Sequence, residues 1–356
     1  MRKITSLLTL IVLLAIALGT VYAQDDLPFE SLYRRITVET RAAADAAAVE
    51  YQRTDQITTV LVGTASPIST SGAQTSTAVF VNGQFLLFDT GNGTMQSMTD
   101  ANIPLTEVDA VFLTHYHYDH YIELADVVQM SWVQGRQHTL SVYGPPGLTQ
   151  VMDGLMSAAA LDASYRWLHH TEELMPPEYS GADVFEFEEP EGNEAIVVYE
   201  QDGVTVETFH VNHDPADPAV GFRVLYEDRL IVISGDTILT ESLIVNSQDA
   251  DLLVAATMNF DVVEIAEEIN REEFGDERQA VLLFDIRDYL MDVSDVGELA
   301  QQANVERLAL NHIAPNVSTD ERLLNAWFVE PIAEIYDGEI IAGEDGTTIV
   351  IPLDEE

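Results

Sequence analysis

The stretch VDAVFLTHYHYDH, residues 108–120, runs from an apolar segment of strand composition straight into a loop that holds His115, His117, Asp119 and His120. Three of the chain's nine histidines stand in that one loop, and the chain has no cysteine. Imidazole and carboxylate are therefore the ligands left for a transition metal. A His-x-His-x-Asp-His loop can aim one pair of side chains at one cation and a second pair at a neighbour. Two such cations share and deprotonate a water, which then attacks an ester-like centre near neutral pH. The alternative, a histidine-rich surface turn, fits poorly with a cluster placed directly after a buried strand.

Outward from this loop, short β-rich runs follow one another. ITTVLVG (57–63), TAVFVN (77–82), FLLFDTG (85–91) and TLSVYGPPG (139–147) read as strands bounded by Gly, Asn and Pro turns. YIELADVVQMSWVQG (121–135) has helical spacing. A second β-rich group comprises EAIVVYE, VTVETFHVNH, VGFRVLYE, RLIVISGDT and DLLVAAT. Helical patterns then cover 262–273 and 293–304, VERLALNHIAP returns as a strand ending at His312, and TTIVIP closes the series. Two groups of strands with interspersed helices predict two sheets packed face to face with helices outside, an α+β architecture. The acidic, Pro-containing stretch 172–193 is expected to be a surface loop or insertion between the halves.

The amino terminus reads differently. Arg2 and Lys3, an apolar run from Leu7 to Leu18 and the small-residue VYA at 21–23 follow the order of a cleavable signal peptide. The expected organisation is a signal peptide at 1–23, an N-terminal linker or helix at 24–56 and one hydrolase domain at 57–356, secreted or periplasmic, with no stable membrane anchor. Fifteen basic against 61 acidic residues give a net charge of −46. Such a field repels polyanions and offers no basic stripe for a phosphate backbone, so a nucleic-acid partner is not expected.

His115, His117, Asp119 and His120 resemble the signature of the metallo-β-lactamase superfamily, whose fold is an αββα four-layer sandwich. The resemblance asks for three further residues, and the chain offers His213 in FHVNHDPADPAVGFRV, Asp236 in LIVISGDT and His312 in LALNHIAP. It implies two divalent metal ions, zinc by family habit, with iron or manganese also compatible with nitrogen and oxygen ligands. One ion would be held by His115, His117 and His213, the other by Asp119, His120 and His312, with Asp236 bridging. Asp119 would also hold or accept protons. His210 competes with His213, and Asp89 in LFDTG looks like the family aspartate that orients a ligand histidine. His138, His169 and His170 match no ligand position.

GTASPI, TSTAVFVNGQFLLFDTGNG, VYGPPG and SGDT are similar to the ribonuclease Z-like branch, especially its exported, arylsulfatase-type members. The transfer-RNA-processing enzymes carry a long basic arm between the third His and the bridging Asp, and the interval from His213 to Asp236 is too short for one. The branch usually places a His-Glu pair after the strand corresponding to DLLV, where this chain has Ala255 and Ala256, and a further His where it has RDYLMDVSDVG. An ester whose leaving group needs little protonation is therefore expected: an aryl sulfate first, then a cyclic or small phosphodiester or a lactone. The alternative is that Asp119, or a nearby tyrosine, supplies the proton. Tyr116 and Tyr118 either pack beneath the loop or line the cleft. A non-catalytic metal-binding scaffold is the competing function. The branch often forms dimers, which makes a homodimer an expectation.

Overall fold

The computed structural model describes residues 29–69, 71–315 and 320–353. The first half of the chain supplies β1 (Gln56–Gly63), β2 (Ser76–Val81), β3 (Gln84–Phe88), β4 (Val108–Phe112), β5 (Leu140–Gly144) and β6 (Ala182–Glu186). The second half supplies β7 (Ala195–Gln201), β8 (Val204–His210), β9 (Val220–Tyr226), β10 (Arg229–Ile233), β11 (Leu252–Met258), β12 (Arg307–Ala314), β13 (Glu339–Ile341) and β14 (Thr347–Pro352). They form two seven-stranded sheets, ordered β14-β1-β2-β3-β4-β5-β6 and β13-β12-β11-β10-β9-β8-β7. β14 crosses back to the first sheet and pairs antiparallel with β1, from Gln56 opposite Pro352 to Leu61 opposite Thr347.

Apolar residues on both faces of the central strands explain the layering. Leu61, Phe88 and Phe112 of the first sheet meet Phe222, Ile231 and Val254 of the second. On the outer face of the first sheet, Val60, Leu87 and Val111 share a core with Leu124, Val128 and Leu148 from the helices Leu124–Gln134 and Leu148–His170. On the outer face of the second, Val232, Leu253 and Leu310 pack with Val296 and Leu299 of the helix Val293–Gln302. This is the four-layer αββα sandwich. Phe88, Phe112, Tyr143 and Phe185 stack across β3 to β6 with ring centroids 4.9, 4.9 and 4.7 Å apart, which fixes the register of four parallel strands by side-chain contact.

Three differences from the sequence reading stand out. Stretch 172–193 is not only loop: β6 runs through it and pairs with β5. Its alternation is hard to see because the strand lies at the sheet edge, with acidic and exposed side chains on it. The helix Leu148–His170 went unnoticed because it buries only Leu148, Met152 and Ala163, too sparse a stripe to show a period. The helical pattern at 262–273 belongs to the helix Phe260–Ile269, and a further helix, Glu277–Asp285, follows it. The amino-terminal helix runs Phe29–Tyr51 and docks by its last ring, Tyr51, 4.3 Å from Phe80. The expected signal peptide lies outside the described residues. Among those described, no helix is long and apolar enough to cross a membrane.

The sheets are tied together at one edge. The amide of Val220 donates to the carbonyl of Thr114 at 3.0 Å, and that of Ile313 to Thr64 at 2.7 Å. The loops after β4, β8 and β10 and the end of β12 therefore converge there.

Candidate metal centre

Seven side chains from four segments meet at that edge. Ligand atoms of His115, His117, His213 and Asp236 form one group and those of Asp119, His120 and His312 a second, each within 4.8 Å. The two groups have the membership drawn from the sequence. Asp236 falls with the first, yet its Oδ2 lies 3.4 Å from His120 Nε2 and 3.3 Å from His312 Nε2, and 3.8 Å from His213 Nε2. One carboxylate oxygen thus faces both groups, which is the position a bridging ligand needs. His210 is not brought in: its Nδ1 sits 2.7 Å from Glu189 Oε1 at the end of β8.

The backbone is bent to achieve this. Asp89 and His312 both take left-handed conformations, with φ of 57° and 45°, a strain that non-glycine residues hold only where the surroundings enforce it. Asp89 is enforced by what it accepts: Thr114 N and Thr114 Oγ1, each at 2.9 Å, and His120 Nδ1 at 2.8 Å. Donation from His120 Nδ1 leaves its Nε2 bare and aimed at the cluster. Thr114 Oγ1 also lies 3.0 Å from His115 Nδ1, so one carboxylate and one hydroxyl fix two imidazoles. His213 Nδ1 bonds to the Tyr289 carbonyl at 2.8 Å. His312 N donates to Asn311 Oδ1 at 2.8 Å, and Asn311 Nδ2 reaches Thr75 and Thr77 on β2 and its approach. Gly235 supplies the turn before Asp236: its φ is 62°, and a Cβ there would stand 2.9 Å from the Val220 carbonyl oxygen. Gly91 permits the close approach of the Asp89 loop, since a Cβ would lie 2.4 Å from the Asp119 carbonyl oxygen.

Whether these residues suit a metal can be read from what they leave undone. His115 Nε2, His120 Nε2 and Asp236 Oδ1 are buried without a hydrogen-bond partner. Buried polar atoms are normally satisfied, so three orphans in one cluster of nitrogen and oxygen donors fit divalent cations. The electrostatics agree. Burial, reinforced by the His120 imidazole, holds His115 well below the ordinary histidine range, and burial likewise lowers His117 and His213, leaving them neutral donors. Burial opposes charge on His120 and His312 too, but Asp236 and the nearby carboxylates outweigh it and raise both. In Asp236 burial is outweighed by His312 and His120, so its carboxyl is held well below the usual range.

The cluster forms the floor of a cavity of about 210 Å³, with His117, Asp119, Asp236 and His312 exposed to it. Ile68, Met258, Ile286 and Leu290 make apolar walls, and Ser66, Tyr118 and Tyr289 add hydroxyls. The two tyrosines of the histidine loop divide the roles expected of them. Tyr116 packs inward with its hydroxyl on the Pro145 carbonyl, whereas Tyr118 is 65% exposed and lines the cavity. Ala255 is sealed in the core, and Ala256 borders a void of about 10 Å³ beside Asp89, Asp236 and His312. Thr114, Asn311 and Tyr289 were missed in the sequence. Thr114 adjoins the motif and was within reach, but Tyr289 touches His213 across 76 positions with no periodic signal.

Residues 57–258 match the sequence model of the family described as "Anti-Pycsar protein Apyc1". Ribonuclease Z of Mycobacterium sp. (strain KMS) is 32% identical over 265 residues, covering 74% of this chain and 86% of that protein. The short form of human tRNase Z superposes with a TM-score of 0.58 at 19% identity, over 83% of this chain and 100% of that one. The metallo-β-lactamase fold protein YhfI from Bacillus subtilis gives 0.58 at 17% identity, with the same shares covered. These likenesses correct one expectation. A nucleic-acid partner was set aside on net charge, but relatives this similar are ribonucleases. The inference failed because net charge describes the far field, whereas divalent cations held by the cluster would reverse the sign locally. By the extent and identity of these matches, the chain belongs to the anti-Pycsar protein Apyc1 family and to the ribonuclease Z-like hydrolases of the metallo-β-lactamase fold, metal-dependent enzymes acting on ester bonds.

Proposed function

We propose that the chain hydrolyses phosphodiesters of the nucleotide class. His115, His117 and His213 would hold one cation, Asp119, His120 and His312 a second, and Asp236 would lie between them. The observation that carries this reading is the pair of ligand groups sharing the Asp236 carboxylate on the cavity floor. Two divalent cations supply Lewis acidity for phosphoryl oxygens and a nucleophile from water at neutral pH. The residues do the rest. Asp89 and Thr114 fix the rings of His120 and His115, and the Tyr289 carbonyl fixes His213. Asp119, whose Oδ2 is 3.2 Å from His312 Nε2 and which faces the cavity, is the proton acceptor. At about 210 Å³ the cavity is below the usual range of roughly 300 to 1,000 Å³ for ligand pockets. It suits the scissile group and one neighbouring moiety, with any remainder of the substrate outside the mouth.

An aryl sulfate is the second reading. It is favoured by the exposed Tyr118 ring, which offers a stacking wall at the cavity rim. The test is turnover by metal-loaded full-length protein of nitrophenyl phosphodiesters, cyclic mononucleotides, a short oligoribonucleotide, nitrophenyl sulfate and a lactone, with chelator-treated protein as control. Metal-dependent cleavage led by the phosphodiesters is expected, and cleavage of the sulfate alone would overturn it. Export is proposed from residues 1–23, and sequencing of the mature amino terminus should begin at Gln24.

A further inference from the structure

Tyr289 stands just before the helix Val293–Gln302, in the segment where related chains are expected to carry a histidine and this one has none. Its carbonyl receives His213 Nδ1 at 2.8 Å, and its ring meets the His213 ring edge-on, with centroids 5.0 Å apart and an interplanar angle of 88°. Those two contacts fix the phenol at the cavity wall above His117, Asp119, Asp236 and His312. The hydroxyls of Tyr51, Tyr116, Tyr199 and Tyr336 each find an acceptor in the protein. Among the described residues that of Tyr289 has none. Of the other two hydroxyls at the cavity, that of Ser66 is engaged with Ser69 at 3.1 Å, and Tyr118 stands 65% exposed at the rim.

Resting on the phosphodiester reading above, we propose that the Tyr289 hydroxyl donates a hydrogen bond to the oxygen that leaves phosphorus. As the new P–O bond forms from water, the P–O bond to the leaving group breaks and that oxygen takes the electron pair. Tyr289 shares its proton with this oxygen without losing it, and the departing alkoxide is protonated from solvent. A phenol ordinarily titrates near pH 10, so at neutral pH the hydroxyl keeps its proton and can donate.

The experiment compares metal-loaded wild type with Tyr289→Phe on two diesters of one nucleoside, a nitrophenyl ester and a methyl ester, with affinity for orthovanadate measured alongside. A hydrogen bond to a charged oxygen is worth roughly a 10- to 100-fold factor. That loss should appear in kcat for the methyl ester, with KM little changed, and should be much smaller for the nitrophenyl ester. Vanadate affinity should fall by a similar factor, while metal content and Tm stay at wild-type values. Equal losses on both esters overturn the proposal, as does vanadate bound equally well by both proteins or by neither. A wild type that cleaves neither ester, yet holds vanadate through Tyr289, overturns the phosphodiester reading and keeps the donor.

Discussion

The two halves of the molecule build their shares of the cluster in opposite ways. The first sheet contributes four side chains from one loop, His115 to His120, and a single carboxylate, Asp89, braces two of them, His120 directly and His115 through Thr114. The second contributes His213, Asp236 and His312 singly, from the ends of three strands, each with its own support: the Tyr289 carbonyl, the Gly235 turn and the Asn311 side chain. A shared brace makes the loop act as a unit, whereas separate supports should let the second half fail piece by piece.

Asp236 is the exception that joins the two, so its removal should do the most damage. Asp236→Ala should lose bound metal from both groups, read by elemental analysis, and turnover should vanish with it. A variant that retains both ions would break the bridging assignment. Next comes Asp89→Ala. It strands the buried Thr114 amide and frees His120, so metal affinity should drop about 10- to 100-fold and unfolding free energy should fall by about 1–3 kcal/mol. Competition with a chelator and denaturant titration read these separately. If only one ion weakens, the brace is not shared. Asn311→Ala should act locally. The His312 amide loses its acceptor, so the second group alone should weaken, by less than in Asp89→Ala. Smallest is Tyr118→Ser at the exposed rim, which should raise KM for aryl esters more than for alkyl ones and leave Tm unchanged. Equal effects on both would remove the stacking role.

The same contrast explains what the sequence disclosed. A cluster packed into one loop announces itself by spacing, whereas His213, Asp236 and His312 were named only because the family resemblance asks for ligands at later strand ends. Asp89 was legible through its setting in LFDTG. The cavity wall was not, because Ile286, Tyr289 and Leu290 come from a segment whose relation to the histidines exists only after folding. β6 was hidden by edge-strand acidity, and the long helix Leu148–His170 by its thin apolar stripe. The global charge was legible and misleading, since it carries no information about the potential a few ångströms from a cation.

The return of β14 to β1 bears on how the protein must be made. β1 lies inside the first sheet only when Thr347–Pro352 has arrived to flank it. A chain that lacks this segment therefore presents an open strand edge to other copies. Nonsense truncation just before residue 347 should consequently show itself as insolubility rather than as a merely slower enzyme.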